Sequence, residues 1–284
     1  MVPGAPPGTD DRVAAFERLV ADNPWRHLPL TGELVLPEDA AAATPFDLAL
    51  PPVPWQGPAF TARVLLLTRN PRSDPAVEQD LRDPAVRLLY RAQLSGVAAF
   101  PWFDPALAGT SGARYWRGLL RHLVDAVGEA AIASAFATVQ YGAYFSSRWP
   151  VEAAPLASGA FTARVVRSAL ARGAVVIVAR ADRDWTARVP ELVTGSDAGT
   201  VLRLTGLPLH RPALTRVRLA PDGFARVVAA LTGRAPAVPP AEQEPPGRAA
   251  VQHKGTRSPP ASAEASADAP DGQGSHPSSA SWRG

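Results

Sequence analysis

The four residues Val64-Leu-Leu-Leu67 constrain this chain more than any others. They sit inside Ala62-Arg-Val-Leu-Leu-Leu-Thr-Arg-Asn-Pro-Arg-Ser-Asp-Pro75. The run is too short for a free-standing helix, and as a strand it is apolar on both faces. Such a strand belongs in a parallel sheet covered by helices on both sides. Phe136 to Tyr141, Ala174 to Ala179 and Thr200 to Leu204 read as three further strands. Between and after them lie amphipathic segments at 76–95 (broken near Asp83-Pro84), 112–127, 129–135, 156–172, 182–189 and 222–232. In the segment 112–127, Trp116, Leu119, Leu120, Leu123, Val124 and Val127 share one face. Strands alternating with helices, joined by right-handed crossovers, give an α/β fold: a three-layer αβα sandwich with a four-stranded parallel sheet.

Residues 10–22 predict a short helix stopped by Asn23-Pro24, and 24–61 an extended, Pro-rich arm wrapped over the domain. From about Arg234 the chain turns to Pro, Ala, Ser, Gly and Gln. Too little apolar surface remains there to offset the entropy of ordering, so disorder is expected. The organisation is thus 1–61 helix and arm, 62–233 α/β domain, 234–284 tail.

Composition removes several chemistries. The chain has no cysteine, which excludes disulfides, thiolate zinc sites, cysteine nucleophiles and cysteine-held iron–sulfur clusters. Its five histidines are scattered and form no close metal-binding pair. There is no Gly-rich phosphate loop, nucleophile elbow, His-Glu-x-x-His or zinc-finger spacing. No cofactor is expected. The net charge is only +3, and Lys254 is the single lysine. The many arginines fit a GC-rich coding sequence as well as a phosphate-binding surface. No stretch approaches the ~20 apolar residues of a membrane span, and the first residues lack the pattern of a signal peptide. A cytoplasmic monomer without membrane contact is the expectation.

In open α/β sheets ligands bind beyond the carboxyl ends of the strands. The loops at 69–75, 141–149, 180–184 and 206–214 should therefore gather at one edge. Asn70 could orient a water there and Asp74 act as a base, although both are also ordinary turn formers. His210 could donate a hydrogen bond to a substrate carbonyl, or simply be a solvent-exposed loop residue. Phe100, Trp102 and Phe103, and likewise Tyr141, Tyr144 and Trp149, could stack on a base or pack the core. Arg69, Arg72, Arg148, Arg180 and Arg211 fall in or beside strand-end loops, where they could contact phosphates.

Over roughly residues 60–232 the arrangement resembles the uracil-DNA glycosylase superfamily. Val64-Leu-Leu-Leu-Thr-Arg-Asn-Pro71 looks like that family's first motif. Phe100 stands ahead of the helix at 112–127, where the family places a base-stacking aromatic. His210-Arg-Pro-Ala-Leu214 is similar to its second motif, and Gln140 to Tyr144 occupies the place of its base-reading amide. The resemblance implies a DNA-repair hydrolase of the N-glycosidic bond acting on a flipped base. Asn70 or Asp74 would position or activate water, and His210 would stabilise charge on the departing base. Phe100 or Trp102 would stack, Gln140 would read the base, and Leu214 would wedge into the duplex. The partner would be DNA or a nucleobase-containing ligand. The competing expectation is a non-catalytic nucleic-acid or small-ligand binding protein on the same scaffold.

Overall fold

In a computed structural model of the chain, the described residues are 9–28, 32, 34–150, 154–204 and 213–234. The segment expected to be a disordered tail lies outside them from residue 235 onward. The sheet contains β1 (Trp55–Gln56), β2 (Val64–Thr68), β3 (Phe136–Gln140), β4 (Val175–Val178) and β5 (Val201–Arg203), in the order β1-β3-β2-β4-β5. β2 pairs in parallel with β3 on one side (Leu66 opposite Thr138) and with β4 on the other (Leu66 opposite Ile177). β5 continues in parallel from β4, whereas β1 runs antiparallel to β3.

The helices are α1 (Thr9–Ala21), α2 (Pro75–Asp80), α3 (Pro84–Gln93), α4 (Ser111–Val127), α5 (Glu129–Ala135), α6 (Gly159–Ala171), α7 (Asp182–Arg188), α8 (Glu191–Asp197), α9 (Arg216–Leu219) and α10 (Pro221–Thr232). The break expected near Asp83-Pro84 has a plain cause. Asp83 accepts from the Ala85 N–H and Pro84 stands in the first turn, so a new helix starts there.

Side chains alternate across the sheet, and the alternation divides the core in two. Leu65 and Leu67 of β2, Ala137 and Val139 of β3, and Val176 and Val178 of β4 join one apolar cluster with α6, Trp185 of α7, Leu192 of α8 and Leu19 of α1. Val64, Leu66, Phe136, Val175 and Ile177 point the other way, into a cluster with α4, Ile132 of α5, and Phe224, Val227 and Leu231 of α10. Helices thus cover both faces, which is why β2 tolerates no polar residue before Thr68.

The sheet has five strands and is mixed, not four parallel strands. The additional strand, β1, is two residues long and stands between Pro54 and Gly57-Pro58. So short a strand carries no alternation from which it could be recognised. The arm is also more than a wrap over a finished domain. Trp25, Leu28, Leu34, Leu36, Phe46, Trp55 and Phe60 are buried in the first cluster, and every residue from 51 to 60 is buried. Gly57 has φ +92°, and a Cβ there would lie 2.4 Å from the Phe136 carbonyl oxygen, so only glycine lets this segment leave β1 so close to β3. No helix of the described residues is long and apolar enough to cross a membrane.

Candidate functional site

From β2 the chain crosses to β3 on one side and later to β4 on the other. Loops leaving the carboxyl ends of these strands diverge and leave a crevice, the position where ligands bind in open α/β sheets. A cavity of about 650 Å³ opens there. That is within the range of roughly 300–1,000 Å³ found for small-molecule sites.

The floor follows from the strand pattern. Along one face, β2 presents Val64, Leu66 and then Thr68, and β3 presents Phe136, Thr138 and then Gln140. β2 is apolar up to its carboxyl end, and β3 carries one buried polar residue, Thr138, before it ends in Gln140. Thr68 and Gln140, neighbours in register, are hydrogen-bonded through the Thr68 hydroxyl and Gln140 Oε1, and both line the cavity. Gln56 reaches the same floor from β1, where it lies opposite Thr138. Its Oε1 accepts a 3.1 Å hydrogen bond from the Trp102 indole N–H. The Thr138 hydroxyl is fully buried and has no partner among the described residues.

Two strand-end loops form the mouth and are fastened to each other. The Ser146 N–H donates to the Pro71 carbonyl (3.3 Å) and the Ser73 N–H to the Ser146 carbonyl (3.2 Å). Asn70 adds a side-chain clasp. Its Nδ2 donates to the Pro71 carbonyl at 2.9 Å and to Ser146 Oγ at 2.8 Å. A carbonyl only accepts, so the amide orientation is fixed and Oδ1 is left without a partner among the described residues. Asp74 caps α2: its Oδ1 accepts from the Ala76 and Val77 N–H groups, each at 3.0 Å, while Oδ2 has no partner among the described residues. The mouth therefore offers one amide oxygen and one carboxylate oxygen as acceptors.

The walls are aromatic. Trp102 lies in the 3-10 turn Pro101–Phe103, with Tyr90 edge-on at 5.8 Å. A Cβ on Gly112, in the first turn of α4, would fall 2.2 Å from the Trp102 ring, so the helix meets the indole only because residue 112 has no side chain. Ser111 holds that helix end by bonding Asp80 through its N–H (2.7 Å) and its hydroxyl. Burial pushes the Tyr90 phenol well above its ordinary value, and the nearby Asp80 charge adds to the effect. Desolvation raises the Tyr115 phenol as well, opposed by the positive charge of Arg180. Arg69, Arg72 and Arg180 stand at the cavity, Arg69 in a 3.2 Å ion pair with Asp184.

Asn70, Arg72, Asp74, Trp102, Gln140 and Arg180 thus come together around one cavity. Three other expected site residues do not line it. Phe100 is 2% exposed and packs edge-on against Trp116 (5.5 Å) and Phe136 (5.2 Å) in the core. Tyr144 is fully buried on the far side of its loop, where its hydroxyl donates to Asp39 Oδ2 at 2.9 Å and accepts from the Leu36 N–H at 3.1 Å. Leu214 is fully buried against α4, its N–H donating to the Leu119 carbonyl, so it presents no exposed wedge. In each case an apolar or aromatic side chain has gone to the core, where its surface is removed from water. His210 and Arg211 lie outside the described residues. Gln56, Thr68, Tyr90, Tyr115 and Ser146 also line the cavity and were not expected from the sequence; Gln56 is the one among them that carried a signal. Its signal was a lone carboxamide between Trp55 and Gly57 in an otherwise apolar, Pro-rich stretch. The chain matches no protein-family model, no curated protein and no solved structure.

Proposed function

We propose that this cavity binds a nucleobase-containing ligand and hydrolyses its N-glycosidic bond, on a scaffold like that of the uracil-DNA glycosylases. The observation that carries the reading is that Asn70 Oδ1 and Asp74 Oδ2, each without a partner among the described residues, belong to two residues that line one switch-point cavity with aromatic walls. Asn70 Oδ1 accepts one hydrogen bond from a water and fixes its direction. Asp74 Oδ2 takes the proton as the water oxygen bonds to the anomeric carbon. The bond from that carbon to the base nitrogen breaks, and the electron pair leaves with the base. The carboxamide of Gln140 on the floor stabilises the negative charge that develops there. Tyr115, an exposed aromatic lining the same cavity, supplies a face for the base, and Arg72 and Arg180 suit the phosphates flanking it.

A non-catalytic binding protein is the second reading. It is favoured by the engagement of Asp74 Oδ1 as a helix cap, an ordinary structural duty. One experiment separates the two. The protein is incubated with single- and double-stranded oligonucleotides carrying uracil, hypoxanthine or another altered base, and alkali then reveals abasic sites. The proposal expects cleavage that falls at least a hundredfold in Asn70→Ala and in Asp74→Ala. Cleavage unchanged in both variants refutes the mechanism. Salt-sensitive DNA binding without cleavage on any substrate selects the binding reading.

A further inference from the structure

Gln56 lies outside the stretch that carries the family resemblance, and its side chain has an unusual hydrogen-bond balance. It is 6% exposed, and the indole N–H of Trp102 points at its Oε1. An indole can only donate, so the carboxamide cannot be turned round: oxygen faces Trp102 and the NH2 faces elsewhere. That NH2 has no partner among the described residues, and Gln56 lines the cavity. Gln140, 5% exposed, repeats the pattern one strand away. Its Oε1 is engaged by the Thr68 hydroxyl, and its NH2 has no partner among the described residues. Neither NH2 is among the buried atoms without a partner, so both open into the cavity that the two residues line, within reach of a ligand. Two such groups at the floor of one cavity are donors awaiting acceptors.

We infer that Gln56 is a specificity-determining residue: its NH2, held in one orientation by Trp102, donates to the ligand and, with Gln140, selects a heterocycle that turns exocyclic carbonyl oxygens toward the floor. A heterocycle that turns an exocyclic amine there brings donor against donor and forfeits the hydrogen bond. A site built to hydrogen-bond one group discriminates strongly against an analogue that cannot take the bond. This inference rests on the nucleobase reading above and adds to it the chemistry of the edge that is read. It also gives the arm a duty in the site, because Gln56 belongs to β1 and not to the strands that carry the resemblance.

The test is binding of four nucleosides to the full chain, followed by calorimetry and by quenching of tryptophan fluorescence. Uridine and inosine present carbonyls; cytidine and adenosine present amines at the matching positions. The expected result is at least tenfold tighter binding of the carbonyl member of each pair. Gln56→Glu keeps an acceptor for the Trp102 indole but has no proton to donate, and should reduce or invert that preference. Should burial of the new carboxylate unfold the protein, Trp102→Phe serves instead. It frees the Gln56 carboxamide to rotate and should bring the two members of each pair within about threefold of each other. Equal binding of carbonyl and amino nucleosides by the wild type, or a ratio unchanged in both variants, overturns the role of Gln56 and leaves the nucleobase reading standing. Failure of all four nucleosides to bind overturns both.

Discussion

Replacing Tyr144 by Phe should weaken the fold far more than it weakens the cavity. The Tyr144 hydroxyl is the only group in the described residues that bonds both Asp39 Oδ2 (2.9 Å) and the Leu36 N–H (3.1 Å), and all three residues are buried. The other carboxylate oxygen of Asp39 accepts from the Ser158 N–H at 2.9 Å. Phenylalanine keeps the ring, and with it the edge contact to Trp25 at 5.8 Å. What is lost is one hydrogen bond to a buried carboxylate, worth about 1.5–3 kcal/mol, and the partner of one buried N–H, worth about 1–3 kcal/mol. Allowing for relaxation, the variant should be destabilised by roughly 3–5 kcal/mol, a large share of the ~5–15 kcal/mol that holds a typical domain together. Urea denaturation followed by tryptophan fluorescence at neutral pH measures this directly. The pH dependence gives a second check. Burial raises the Tyr144 phenol above its ordinary 10.0, and the charge of Asp39 adds to the rise. The folded state therefore keeps this proton where the unfolded chain releases it. The contribution is complete below pH ~10 and is lost above it, at up to about 1.4 kcal/mol per pH unit. The Phe variant lacks that slope, so the gap between the two proteins should narrow above pH 10. A loss below 1 kcal/mol, or a gap independent of pH, would refute this account of how the arm is held.

Three further outcomes follow from the site. Gly112→Ala should drive the Trp102 ring from its place, since the added methyl falls within 2.2 Å of it; tryptophan emission should shift and nucleoside binding fall at least tenfold. Asp74→Ala removes both the N-cap of α2 and the free carboxylate oxygen. It should cost about 1 kcal/mol of stability by urea denaturation, whereas Asp74→Asn should retain most of the cap and still lose catalysis. Tyr90→Phe should remove part of the alkaline instability, because desolvation holds its phenol protonated in the fold after the unfolded chain has ionised; equal alkaline unfolding in both proteins would count against it.

The sequence made the sheet legible for a simple reason: β2 and β4 are apolar on both faces, and only a doubly covered strand can be so. Short elements were not legible. α9 is four residues and β1 two, too few for any period to show, and Gly195 inside α8 masks a weak helix. The site divides along a similar line. Asn70, Arg72, Asp74, Gln140 and Arg180 were found because they follow buried strands, and topology alone puts strand ends together. Aromatic residues carry no such address. Phe100 and Trp102 stand two positions apart, yet only Trp102 reaches the cavity, its indole N–H held by Gln56. Which ring turns outward depends on where β1 lies, and that depends on contacts 46 residues away in sequence.

The brevity of β1 also bears on how the protein avoids sticking to itself. It forms the outer edge of the sheet beside β3, and a long bare edge there would be a template for another chain's strand. Pro54 and Pro58 bracket it. The segment is also fastened to α3, with the Gly57 N–H on Gln93 Oε1 at 2.6 Å and the Trp55 indole on the Gln93 carbonyl at 2.6 Å. The segment that delivers Gln56 to the cavity is thus also the one that keeps this edge of the sheet too short to template an intruding strand.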